Sequence, residues 1–339
     1  MKFWKTIPAA TAVLALTAGA AMADTLDDVK ARGSLKCIVT TGLAGFASAD
    51  DAGVWTGLDV DFCRAVAAAV LNDSTAVEFI PTTAKERFTV LQSGQGDVLA
   101  RNTTWTLSRD TQLGMNFVGV NFYDGQGFMV NADLGIQSAK ELDGATVCVQ
   151  TGTTTELNLA DYFRRNNMSY ESVVFETNDE ARNAFEQGRC DAYTTDASGL
   201  AAERSVAANP SAYVILPDII SKEPLGPAVR QGDDVWFNVI RWTYFAMIAA
   251  EELGLTMANV DDQKANSQNP SVKRFLGLES DLGPMLKLDN DWAYRIVKQV
   301  GNYSESFDRN VGPTTPLGLS RGLNALWTDG GLMYAPPLR

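Results

Sequence analysis

Apolar runs and helical periodicities alternate along this chain. Leu35 to Thr40 is an apolar run of strand length, and Val60 to Leu71 places Phe62, Val66, Ala69 and Val70 on one helical face. Val77 to Pro81 predicts a second strand, Ala84 to Gln92 a second helix, and Asp97 to Ala100 a short strand. This βαβα order predicts a parallel sheet covered by helices. The pattern then restarts. Gln126 to Val130 and Thr146 to Gln150 are strand-like, a helix follows from about Thr155 to Asn166, and Ser172 to Glu176 is again a strand. Asn178 reads as the cap of a helix reaching Gln187, Asp191 to Thr195 as a strand, and Ala197 to Ala208 as a helix stopped by Asn209-Pro210. A second α/β unit therefore covers roughly residues 124 to 224.

Beyond Pro224-Leu225-Gly226-Pro227, Ala228 to Arg230 is strand-like and a long helix runs from Asp234 to Leu253. That helix is apolar, but Asp234, Arg241, Glu251 and Glu252 lie in or beside it, which predicts a buried core helix and not a membrane span. The last stretch, from Ala258, mixes short helices with Gly and Pro turns, and its function is not legible in its composition.

The first 23 residues follow a different rule. Lys2 and Lys5 precede a short apolar stretch from Ile7 to Ala21, and Ala21-Met22-Ala23 supplies a small-residue cleavage site. The expected product is an exported chain of about 316 residues starting at Asp24, long enough for two domains. Removing Lys2 and Lys5 takes the net charge from −13 to −15. Such a balance argues against nucleic acid or anionic lipid as a partner, since both need basic patches.

The chain contains no histidine. That removes Ser-His and Cys-His nucleophile systems and any histidine base. The four cysteines, Cys37, Cys63, Cys148 and Cys190, lack Cys-x-x-Cys spacing, so no metal site and no cofactor is expected. An even cysteine count in an exported chain favours disulfides, with three possible connectivities.

The string Gly57-Leu58-Asp59-Val60-Asp61-Phe62, followed by Val66, Ala67 and Val70, resembles the signature of family 3 extracellular solute-binding proteins. Alone, it would also suit a helix N-terminus with acidic residues set against the dipole. Four further segments occur in the family's order. The resemblance implies an α/β, two-lobed periplasmic-binding-protein-like fold of type II, each lobe a mixed sheet flanked by helices, joined by a two-strand hinge. It divides the chain into a signal peptide (1–23), the first part of lobe 1 (24–123), lobe 2 (124–224), and a return to lobe 1 with a C-terminal extension (225–339). The hinge strands fall near Asn121–Gly127 and Lys222–Arg230.

The resemblance also implies a function. The chain would be the monomeric substrate-binding component of an amino-acid ABC importer, handing polar and acidic L-amino acids to permease subunits in the inner membrane. In Asn102-Thr103-Thr104-Trp105-Thr106-Leu107-Ser108-Arg109 the family's arginine clamps the ligand α-carboxylate, which a guanidinium fork matches. Asn102 and Thr104 sit upstream to share the carboxylate or the ammonium. The alternative for Arg109 is a pair with Asp110 or a turn cap. In Gly152-Thr153-Thr154-Thr155-Glu156, Thr153 and Thr154 open a helix whose N–H groups suit an anion, though a capping box uses the same residues. Asp196 ends a strand and would meet the ammonium, with a helix N-cap as its alternative.

Arg87, in Thr82-Thr83-Ala84-Lys85-Glu86-Arg87, is the counterpart of an arginine that meets side-chain carboxylates, or else a solvated helix-face residue. Where relatives often carry an aromatic cover this chain has Leu43, with Phe46 later. That departure implies a roomier side-chain pocket. The cysteine positions fit two bridges within the lobes, Cys37 with Cys63 and Cys148 with Cys190, with buried free thiols as the alternative for Cys148. A dehydratase or lyase on this scaffold is the competing reading. It would need a cleft carboxylate, for which Glu86 and Glu156 are the candidates and both read as helix-surface residues.

Overall fold

The computed structural model describes residues 24–339, so the expected signal peptide lies outside the described residues. Two five-stranded mixed sheets form separate lobes. The first runs Val77–Thr82, Leu35–Thr40, Val98–Leu99, Ala228–Arg230, Met115–Phe117, its first three strands mutually parallel and Ala228–Arg230 antiparallel to both neighbours. The second runs Tyr170–Phe175, Ala145–Gln150, Ala192–Asp196, Gln126–Asn131, Tyr213–Ile215, with the last two antiparallel to the strands they join. Phe122–Asp124 pairs antiparallel with Glu223–Leu225 where the chain passes between the sheets. These are the two hinge strands.

The signature string owes its composition to packing. Gly57 has φ 135° and lies so close to Phe46 that a Cβ would sit 2.1 Å from that residue's carbonyl oxygen. Only glycine allows the helix Leu58–Leu71 to start there. Asp59, in its first turn, accepts from the Asn102 backbone N–H at 2.8 Å and from Asn121 Nδ2 at 3.3 Å. It thereby ties the helix to a cleft loop and to the hinge. Asp61 accepts from Ser306 Oγ at 2.8 Å, Arg309 Nη2 at 2.6 Å and Asn310 Nδ2 at 2.6 Å, all on the C-terminal helix Tyr303–Asn310. Both aspartates are structural ties.

The C-terminal extension belongs to the larger of the first lobe's two apolar clusters, which takes in Val39, Val66, Ile240, Leu326 and Met333, while Ile38, Leu99 and Phe117 belong to a small cluster on the other face of the sheet. The extension also grips one side of the hinge. Tyr303 Oη donates to the Asn121 carbonyl at 2.8 Å, and Asn324 pairs with Tyr123 as a strand would, Tyr123 N–H to Oδ1 at 2.7 Å and Nδ2 to the carbonyl at 3.1 Å. In the second lobe the apolar residues form two smaller clusters, one holding Phe128, Val147 and Phe163, the other Met129, Phe185 and Tyr193.

Both disulfides lie within lobes, Cys37–Cys63 and Cys148–Cys190, with Cα separations of 6.2 and 5.7 Å. The helix Asp234–Glu252 is a core element, and no helix of the described residues is long and apolar enough to cross a membrane. Three local expectations need correction. Thr177, not Asn178, caps the helix Asn178–Glu186, in a reciprocal capping box with Glu180. The helix expected from Ala84 starts only at Arg87, because Thr83 and Glu86 close a turn on each other first. The strands Met115–Phe117 and Tyr213–Ile215 are three residues each and went unpredicted, being too short for a periodicity to register.

Candidate functional site

The C-terminal ends of the parallel strands in both lobes face one cleft, the place where open α/β sheets bind ligands. From the first lobe come the loop after Val98–Leu99, the turn after Val77–Thr82 and the short helix Leu107–Thr111. From the second come the turn after Ala145–Gln150 and the end of Ala192–Asp196. The walls touch. Thr104 Oγ1 lies 3.1 Å from Thr154 Oγ1, and Lys85 Nζ lies 3.0 Å from Glu176 Oε1 at the rim. Gly152 packs on Lys85 so tightly that a Cβ would come within 2.9 Å of its Cγ.

Three arginines are buried on the first-lobe wall. Arg87, Arg101 and Arg109 are only 3%, 2% and 6% exposed. Arg109 donates to the Thr104 carbonyl at 2.7 Å, and Arg101 Nε donates to the Thr82 carbonyl at 3.1 Å. The Phe88 ring lies 4.7 Å from the Arg87 guanidinium carbon and 5.1 Å from that of Arg109. Burial pushes Arg101 and Arg109 down to about 10. It pushes Arg87 well below its ordinary value, with Arg101 and Arg109 adding repulsion. Glu223 and Asp196 pull Arg109 the other way.

Asp196 faces these cations from the second lobe. It occupies the N-cap position of the helix Ala197–Ser205, yet its side chain makes no cap bond, because Asp124 serves the Ser198 N–H and hydroxyl. Burial raises its pKa well above the usual carboxylate range, Asp124 and Glu223 add to that, and Arg87 and Arg109 oppose it. Desolvation likewise lifts Asp124 to about 6, against hydrogen bonds from Ser198 and Gly125. Several buried polar atoms around the cleft have no hydrogen-bond partner in the protein: Arg87 Nε, Arg101 Nη2, Asn102 Oδ1, Gln126 Oε1 and Asp196 Oδ1. An unpaired buried polar atom costs about 1–3 kcal/mol. With the unpaired guanidinium donors on the first-lobe wall and the unpaired Asp196 oxygen on the other, the cleft suits a small molecule carrying both charges.

Of the residues singled out in the sequence, Arg87, Thr104, Arg109, Thr154 and Asp196 share this cleft. Asn102 stands beside it at φ 33°, anchored by its backbone to Asp59. The Thr153 hydroxyl is spent inside its own lobe, accepting from Glu156 N–H at 3.1 Å and donating to the Gln150 carbonyl at 2.7 Å. Phe46 is buried against Phe122 in the core. Glu86 and Glu156 complete turns with Thr83 and Gly152. Sequence reasoning missed Arg101, Asp124 and Glu223. The first was adjacent to the recognised loop, but the two acids sit in the hinge strands, where a lone acidic residue carries no pattern.

Two lobes, a two-strand hinge and a charged cleft between them define a two-lobed periplasmic-type binding protein. The model of the bacterial extracellular solute-binding proteins, family 3, matches residues 35–258, and the chain belongs to that family. It is 61% identical to the general L-amino acid-binding periplasmic protein AapJ of Rhizobium johnstonii, over 97% of this chain and 96% of that one. It is 58% identical to the glutamate/glutamine/aspartate/asparagine-binding protein BztA of Rhodobacter capsulatus, over 97% of each. Among solved structures, an ABC transporter/periplasmic binding protein from Brucella ovis with glutathione bound superposes with a TM-score of 0.92 at 60% identity, covering 94% of this chain and all of that one.

Proposed function

We propose that this chain is the periplasmic substrate-binding component of an amino-acid ABC importer, and that it holds free L-amino acids in the cleft without transforming them. The opposition of Arg87, Arg101 and Arg109 to Asp196 across two lobes carries this reading. Arg109 clamps the α-carboxylate, and Asp196 takes the α-ammonium. Arg87, assisted by Arg101, meets a second carboxylate or amide on the side chain. Asn102, Thr104 and Thr154 complete the contacts to the ligand's head group. Thr153 contributes its backbone N–H, since its hydroxyl is committed to the cap.

One zwitterion then bridges both lobes, so it shifts the population toward the closed form that permease subunits in the inner membrane receive. The reading includes export through a cleaved signal peptide at 1–23 and a monomeric binding protein. The lobe borders are 24–123 and 225–339 for the first lobe and 124–224 for the second. The names of AapJ and BztA, and the glutathione of the Brucella structure, support a ligand bearing an α-amino acid head group.

Calorimetric titration of ligand-stripped protein with a panel of L-amino acids and glutathione tests this. Micromolar binding of several members, about −8 kcal/mol, is expected, with a loss of at least about a hundredfold in Arg109→Ala. Heat from no member, or time-dependent product formation from any, sinks the reading and favours the enzyme alternative.

A further inference from the structure

Glu223 is 1% exposed and belongs to the hinge strand Glu223–Leu225, yet its carboxylate reaches into the cleft and gathers donors from three parts of the molecule. Its Oε2 accepts from Thr104 Oγ1 of the first lobe at 2.6 Å and from Thr154 Oγ1 of the second at 2.8 Å. Its Oε1 accepts from Asn158 Nδ2 at 2.7 Å and from Ser221 Oγ at 2.6 Å.

A threonine hydroxyl has one proton. With Thr104 and Thr154 both within bonding distance of the Glu223 carboxylate and 3.1 Å from each other, their two protons can fill two of the three contacts, and every arrangement that does so uses both inside the triad. What the two hydroxyls can still offer is lone pairs. A carboxylate on a ligand finds no donor there, whereas an ammonium finds two oxygens that can only accept.

We infer that Glu223 is a positioning residue that fixes Thr104 and Thr154 as hydrogen-bond acceptors and so makes the cleft select ligands with a protonated amine over ammonium-free analogues. The inference rests on the cleft reading above and adds the residue that sorts its ends. The arginines serve anions, and the Glu223 triad together with Asp196 serves the cation. It also gives the hinge strand a part in recognition, since the same carboxylate holds one hydroxyl from each lobe.

The experiment compares L-glutamate, by calorimetry, with 2-oxoglutarate, by displacement at millimolar concentrations, on wild type, Glu223→Gln and Thr154→Val. The isosteric amide removes the negative charge and places N–H donors where the carboxylate accepted. In Glu223→Gln the preference for L-glutamate should shrink at least about tenfold, the size of one charged hydrogen bond, through weaker glutamate binding and measurable 2-oxoglutarate binding. Thr154→Val should weaken L-glutamate and leave 2-oxoglutarate no worse. If Glu223→Gln weakens both ligands alike, leaves L-glutamate unchanged, or leaves 2-oxoglutarate undetectable, the proposal is wrong. A wild type that binds no amino acid would fail the underlying reading instead. Retained cooperative unfolding of the variants, followed by circular dichroism, separates selectivity from misfolding.

Discussion

The wall of the cleft made by the first lobe is cationic, and the wall made by the second lobe and the hinge is anionic. Arg87, Arg101 and Arg109 repel one another in a dry setting, and Asp196 is pressed by Asp124 and Glu223. Neither wall is comfortable alone, because buried like charges lose hydration without gaining partners. Brought together they lower each other's cost, and a ligand with both charges completes the pairing. The lobes differ in their cores as well. Both sheets are packed on both faces, but in the first lobe one face carries a large cluster extended by C-terminal residues up to Ala335 and the other a small one around Ile38, Leu99 and Phe117, whereas the second lobe has two small clusters. The lobe that carries the C-terminal extension is the better anchored body, and the second lobe is the one whose stability should depend more on its disulfide.

Removing the disulfides tests that contrast with the largest expected effect. The Cys148–Cys190 bridge spans 42 residues and Cys37–Cys63 spans 26, for which chain entropy predicts about 4 and about 3.5 kcal/mol. Those figures are close, so a clearly greater loss for the Cys148→Ser/Cys190→Ser pair in denaturant melts would reflect the smaller apolar clusters of the second lobe. Equal losses would break the comparison of cores.

Neutralising the anionic wall comes next. Asp196→Asn should cost about 3 kcal/mol of amino-acid binding, close to a hundredfold, in the same calorimetric assay. A variant that binds as wild type would take Asp196 out of the site.

The pH dependence sharpens the electrostatic half of the comparison. Burial holds Asp124 at about 6 when its ordinary value is 3.8. Between those values the folded chain keeps a proton that the unfolded chain has released, so this group's contribution to stability declines as pH rises through that window. Ligand-free protein should therefore lose stability between pH 4 and 6 from this source, and Asp124→Asn should flatten the slope in thermal melts. Asp196 is raised in the same direction, and a ligand ammonium beside it favours the ionised form. Amino-acid affinity should accordingly fall as the solution is acidified, measured by titration at a series of pH values.

The rim carries the smallest effect. Lys85 and Glu176 are each more than half exposed, so Lys85→Ala should change affinity by less than about 1 kcal/mol and leave the order of ligand preference intact. A larger change would mean that the rim pair, and not the charged walls, dominates closure.

The elements that were readable in the chain are those whose signal is local. Leu35–Thr40 and Ala228–Arg230 fall where the apolar runs placed them, and the long helices lie within a few residues of their expected ends. Arg109 and Asp196 were readable because each sits in a string of recognisable neighbours. Asp124 and Glu223 were not. Each is a single acid in a strand of three residues, and nothing within ten positions distinguishes it from a surface carboxylate. Thr153 illustrates the converse. Its position at a helix start was plain, but whether its hydroxyl faces the ligand or the cap depends on the Gln150 carbonyl 2.7 Å away.

By itself, then, the order of apolar and polar residues determined two α/β units, and a short family-like string singled out Arg109 as a candidate, because periodicity and short motifs are properties of neighbours in the chain. Tertiary structure decided which charges meet. Arg87, Arg101, Arg109, Asp124, Asp196 and Glu223 are spread over more than 130 positions, and the strand orders of the two sheets together with the hinge pairing of Phe122–Asp124 with Glu223–Leu225 bring them around one cleft. Burial there alters each group's charge preference through its neighbours, and no single stretch of chain contains all of them.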